Sequence, residues 1–81
     1  MNCKEKVQIS FRKGLALPRG FDVTEANSST LPQWDSVAHL QLVVALEDAF
    51  NISLTPADVV ELKSYASALE ILRRHGVSID G

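Results

Sequence analysis

Three helix-start signals crowd into the stretch from Asp35 to Ser64, and they constrain the fold more than any other feature. Asp35 precedes a run in which Val37, Leu40, Val44 and Phe50 recur at helical spacing, with Val43 and Leu46 widening the stripe. A carboxylate just ahead of a helix accepts from unpaired N–H groups of its first turn, so a helix is predicted over 36–50, with Asn51 as its stop. Thr55-Pro56 sets a capping hydroxyl before a proline at the first helical position, where a missing N–H loses no intrahelical bond; a short helix over 56–62 follows. Ser64 opens a last helix over 65–75 in which Tyr65, Ala68, Leu69 and Leu72 share a face. Arg73, Arg74 and His75 suit the negative end of its dipole, and Gly76 ends it.

Upstream, Cys3, Val7, Phe11 and Leu15 stand four residues apart, which is one face of a helix over 3–15. Gly14 weakens the end of that helix, and Pro18 with Gly20 forbids a long continuation. From Pro18 to Gln33 turn formers dominate, so this stretch reads as a long loop, with Phe21, Val23 and Leu31 as its anchors to the core. No segment alternates apolar and polar residues as a half-buried strand does. The expectation is an all-α fold: one domain over 1–81, four helices, a long connection between the first and second, and a short third helix.

With 81 residues, 46% of them hydrophobic, the chain suits a single small core and not disorder. A buried catalytic pocket would consume much of that core, so size favours a binding or carrying module over an autonomous enzyme. Cys3 is the only cysteine, which excludes an internal disulfide and any multi-cysteine metal site and fits a reducing cytoplasm. Its place on the apolar stripe points to an inert thiol. Met1 to Lys13 has no continuous hydrophobic run, so neither a signal peptide nor a membrane span is expected there. Asn27-Ser28-Ser29 fits a glycosylation pattern and reads as ordinary loop chemistry.

The net charge is −2, yet no Lys or Arg occurs between Arg19 and Lys63, where Asp22, Glu25, Asp35, Glu47, Asp48, Asp58 and Glu61 all lie. An acidic middle repels nucleic acid and favours basic protein partners. A soluble monomer that binds neither nucleic acid nor membrane is expected.

Ser36 is the residue with the clearest chemical opportunity. A hydroxyl at the first turn of a helix lies beside unpaired N–H groups at the positive end of the dipole. A phosphate ester there is favoured by roughly 0.3–1 kcal/mol at an exposed site. Asp35 and Ser36 alone make an ordinary helix start; the longer pattern says more. Asp35-Ser36-Val37, followed by Leu42-Val43-Val44-Ala45-Leu46-Glu47-Asp48 and Phe50, resembles the second helix of the acyl carrier protein family, whose hallmark is Asp-Ser-Leu. The similarity continues through the short helix at Pro56–Leu62 and the capped helix from Ser64, spanning residues 31–76; the first helix matches only as an amphipathic segment.

This resemblance implies a four-helix carrier bundle in which Ser36 receives 4′-phosphopantetheine from coenzyme A through a separate phosphopantetheinyl transferase. The arm's thiol would hold an acyl or aminoacyl group as a thioester, loaded by a ligase and passed to downstream biosynthetic enzymes. It implies a carrier that is not itself an enzyme, with Asp35 and Val37 flanking the attachment point. Partners would dock on the second helix and its surroundings, through Trp34, Val37, His39, Gln41, Glu47, Asp48, Asp58 and Glu61. Where many fatty-acid-synthesis carriers are acidic, this chain has Ala38 and Gln41, and Trp34 resembles discrete carriers of specialised pathways; a narrower partner set is expected.

Two other readings compete. Asp35, Ser36 and His39 suggest a hydrolase, but neighbours on one helix do not easily form a relay, and no oxyanion loop is evident. His39 reads instead as a surface residue beside the arm, and His75 as a helix-end cation. Trp34 reads equally as a partner contact or as packing of the loop, and Val59, Val60 and Leu62 as the rim of an acyl-sheltering cleft. The second alternative is a helical protein-interaction adaptor with a degenerate motif, against which retention of the Ser36 hydroxyl argues.

Overall fold

The computed structural model describes residues 3–18 and 20–79. The single-domain reading over 1–81 extends to residues 1, 2, 19, 80 and 81, which lie outside the described residues. Helices form where the caps stand: α1 (Cys3–Leu15), α2 (Ser36–Phe50), α3 (Pro56–Glu61) and α4 (Tyr65–Arg74). A 3₁₀ turn at Val23–Glu25 interrupts the long α1–α2 connection. Among the described residues no strand occurs, and Asn27 and Ser64 make only an isolated antiparallel bridge. The fold is all-α. The expected ends at Leu62 and His75 each fall one residue late, because both are C-cap residues.

The caps work through specific hydrogen bonds. Thr55 Oγ1 accepts from the Asp58 N–H at 3.1 Å, while Asp58 Oδ2 accepts from the Thr55 N–H at 3.1 Å, a reciprocal pair that satisfies two orphan donors of α3. Ser64 and Ser67 exchange equivalent bonds at α4, at 3.1 and 2.9 Å. Asn51 ends α2 in the left-handed conformation (φ 53°, ψ 50°), which asparagine tolerates better than most residues.

The core gathers α1, α2 and α4 around Phe11, Leu42, Leu46 and Leu72, all essentially inaccessible. Burying each such side chain contributes roughly 1.5–3 kcal/mol. The Phe11 ring meets the Trp34 and Tyr65 rings edge-on, with centroids 5.9 and 5.6 Å apart. On α1 the expected stripe is the buried one, with Val7, Phe11 and Leu15 inside and Cys3 packed at its margin. On α2 it is not. Val37, Leu40 and Val44 are 64%, 60% and 54% exposed, whereas Leu42, Val43 and Leu46 face the core and Phe50 is half-buried. Apolar residues surround α2 nearly completely, so periodicity alone does not select its inner face.

The long connection is fastened at several points. Val23 and Ala26 are buried, and Phe21 and Leu31 pack against the core. Asp22 accepts from the Thr24 side chain and backbone at 2.7 and 3.0 Å, bonds that hold its carboxyl below the ordinary range. The Tyr65 and Ser28 N–H groups donate to Ala26 and Lys63 carbonyls, tying the loop to the start of α4. The segment that delivers the chain to α2 is therefore held on both sides.

Candidate functional site

Asp35 takes an extended backbone conformation (φ −95°, ψ −173°) ahead of α2, and its Oδ1 accepts from the Ala38 N–H at 2.9 Å. Ser36 is thereby fixed as the first helical residue. Its side chain is exposed and makes no hydrogen bond to another described residue. The Ser36 hydroxyl is thus free and exposed beside the unpaired N–H groups of the first turn, while the neighbouring carboxylate is already engaged in capping.

Ser36 opens onto a groove of about 560 Å³. Trp34, His39 and Leu40 form one side, and Val59, Val60 and Leu62 the other. Leu40 and Val60 are exposed, Val59 is half-buried and Leu62 lies at the base. Lys63 is the cation on this groove among the described residues. Val59, Val60 and Leu62, expected at the rim of a cleft, do line one groove beside Ser36, although Leu62 is buried at its base and not on its rim.

His39 corrects the sequence reading. It is half-buried, and both ring nitrogens are occupied: Nδ1 lies 2.9 Å from Trp34 Nε1, and Nε2 lies 2.8 Å from the Val59 carbonyl oxygen. The two rings are nearly parallel, inclined at 27°. Neither nitrogen is hydrogen-bonded to Ser36, and Asp35 is spent on the helix end, so the three side chains form no Asp–His–Ser relay. Trp34 is only 8% exposed; packing on Phe11 and bonding to His39 turn it inward.

The remaining expected docking residues scatter. Val37 and Gln41 are exposed on α2 beside Leu40 and Val44, making one surface strip with an apolar character. Asp48 is exposed farther along the helix, while half-buried Glu47 accepts from the Leu54 N–H at 2.8 Å and pins the α2–α3 connection. Asp58 is not a surface acid. It is buried in the α3 capping pair, receives His75 Nε2 at 2.7 Å and lies 3.3 Å from Arg74. The His75 bond, followed by the Thr55 N–H, holds the Asp58 carboxyl below the usual carboxylate range. His75 is thus a cap residue tied to α3 and not merely a helix-end cation. Glu61 is exposed and pairs with Arg74.

Sequence reasoning missed Lys63 and Ser28 as groove residues, and Leu42 as the most deeply buried residue of α2. None carries a local signal, since each is placed by tertiary packing. No protein-family model, curated protein or solved structure matches this chain.

Proposed function

We propose that this chain is a carrier protein of the acyl carrier type, bearing 4′-phosphopantetheine on Ser36. The observation that carries this reading is the free, exposed Ser36 hydroxyl at the capped start of α2, opening directly onto a groove with apolar walls. The residues fit the group: Ser36 offers the only oxygen needed for a phosphodiester, and the adjacent N–H groups of the first turn favour its negative charge. Bound there, the group supplies a terminal thiol that holds an acyl or aminoacyl cargo as a thioester.

The chain's own part is to present and to shelter. Asp35 fixes the helix start, so Ser36 faces outward in one geometry. Leu40, Val59 and Val60 offer apolar contact to a chain laid in the groove. A phosphopantetheinyl transferase, a loading ligase and downstream biosynthetic enzymes would meet the exposed strip of Val37, Leu40, Gln41 and Val44, with Asp48 and Glu61 as outlying acids. The acid-poor first turn of α2 supports service to a specialised pathway.

Incubation with coenzyme A and a broad-specificity phosphopantetheinyl transferase, followed by intact-mass measurement, tests the reading. One pantetheinyl adduct is expected, absent in Ser36→Ala. A well-folded chain that stays unmodified would favour the interaction adaptor instead.

A further inference from the structure

The hydrogen bonds of His39 fix its protonation chemistry. An indole N–H only donates, so Nδ1 of His39, 2.9 Å from Trp34 Nε1, is an acceptor and carries no proton. A carbonyl oxygen only accepts, so Nε2, 2.8 Å from the Val59 oxygen, carries the proton and donates it. The neutral ring therefore bridges the segment just before Ser36 to α3 on the far side of the groove. Both residues it holds line that groove.

We infer that His39 is a proton-sensitive pin: neutral, it holds the Trp34 side of the Ser36 groove to α3, and protonated, it releases Trp34. A proton added at Nδ1 sets two donors against each other across the Trp34 contact, which then repels. Nε2 keeps its proton in both states, so the bond to Val59 survives and α3 stays in place. The movable part is Trp34 and the loop leading to Ser36. His39 is a positioning residue, acting on access to the groove through Trp34.

The charged groups sharing the groove are Asp35 and Lys63. Asp35 is engaged with the Ala38 N–H, and α3's own carboxylates, Asp58 and Glu61, are engaged by His75 and Arg74. α1 and α4 contribute no lining residue. No carboxylate is hydrogen-bonded to His39 to compensate an added charge. The inference concerns the unmodified chain and stands apart from whether Ser36 carries a group.

Trp34 is the only tryptophan, so a single indole signal reports it. Labelled protein is followed by NMR from pH ~8 to ~5, the range in which histidine ordinarily changes charge, with far-UV circular dichroism alongside. The expected result is that the indole N–H resonance and the His39 ring resonances titrate together while helical content is constant. His39→Gln, whose amide can both accept from Trp34 and donate to Val59 without titrating, abolishes the indole shift; His75→Asn leaves it unchanged. The inference is overturned if His39 stays neutral to pH ~5, if its protonation leaves the indole unmoved, if the shift follows His75, or if helix is lost first. Should His39→Gln fail to fold, the wild-type co-titration and His75→Asn still decide the matter.

Discussion

A Cβ on Gly14 would lie 2.6 Å from the Leu42 Cα and 2.8 Å from its backbone nitrogen, so α1 and α2 cross with backbone against backbone at this point. Glycine inside a helix ordinarily costs about 1 kcal/mol relative to alanine, which makes Gly14→Ala look stabilising. The contact decides otherwise, because the obstructing atoms are main chain and cannot swing aside. Overpacking of about 1–3 kcal/mol outweighs the propensity gain, and chemical denaturation should show a lower midpoint for Gly14→Ala. A raised midpoint would mean the two helices part at no cost.

Asp58 predicts the acid limb of stability. Its carboxyl is held below the ordinary value of 3.8 by the His75 bond and the Thr55 N–H. A depressed folded-state pKa adds stability above the unfolded value and loses it as pH falls through the folded one, so this contribution fades below about pH 4. Asp58→Asn should destabilise by about 1–3 kcal/mol at pH 7, chiefly because His75 loses its carboxylate partner, while Arg74 keeps Glu61. Near pH 3 the variant and the parent should approach one another in urea denaturation. A gap that stays constant across this range would remove Asp58 from the explanation.

These two cases mark what was legible in the sequence. Helix starts at Asp35, Thr55 and Ser64, and the stop at Asn51, depend on groups within a few residues and were readable locally. Ser36 as an exposed first-turn hydroxyl followed from the same local logic. The inner face of α2 did not, because Val37, Leu40 and Val44 are as apolar as Leu42, Val43 and Leu46, and only the arrival of α1 at Leu42 chooses between them. Asp58 stands three residues after Thr55, the capping-pair spacing, yet its second role depends on His75 from α4. The Trp34–His39–Val59 bridge joins residues 20 apart at its longer step, and no periodicity announces it.

The exposed strip on α2 separates docking from folding. Leu40 is 60% exposed, so Leu40→Ser should alter stability by no more than about 0.5 kcal/mol. If partners seat on this strip, the same change slows modification of Ser36 by a phosphopantetheinyl transferase at limiting carrier concentration, while the melting midpoint moves by no more than about 2–4 °C. Leu42→Ala is the contrasting variant, expected to cost about 2–5 kcal/mol because it opens a cavity in the core. Equal modification rates for the parent and Leu40→Ser would place docking elsewhere.

On the proposed carrier reading, charge on the same helix would bear on which pathway the chain serves. Ala38 is the third helical residue of α2, where a carboxylate faces the positive end of the dipole, and Gln41 is exposed about one turn later. Ala38→Asp with Gln41→Glu should therefore be tolerated by the fold, although Ala38 leans against the core and the Asp must rotate outward. A fatty acid synthase that selects its carrier by acidic contacts on this helix should accept the loaded double variant better than the parent, mainly through a lower KM, and the gain should shrink as salt is raised. An unchanged KM at low salt would show that Ala38 and Gln41 do not set partner choice. The apolar contacts of Val37, Leu40 and Val44 would then carry that discrimination.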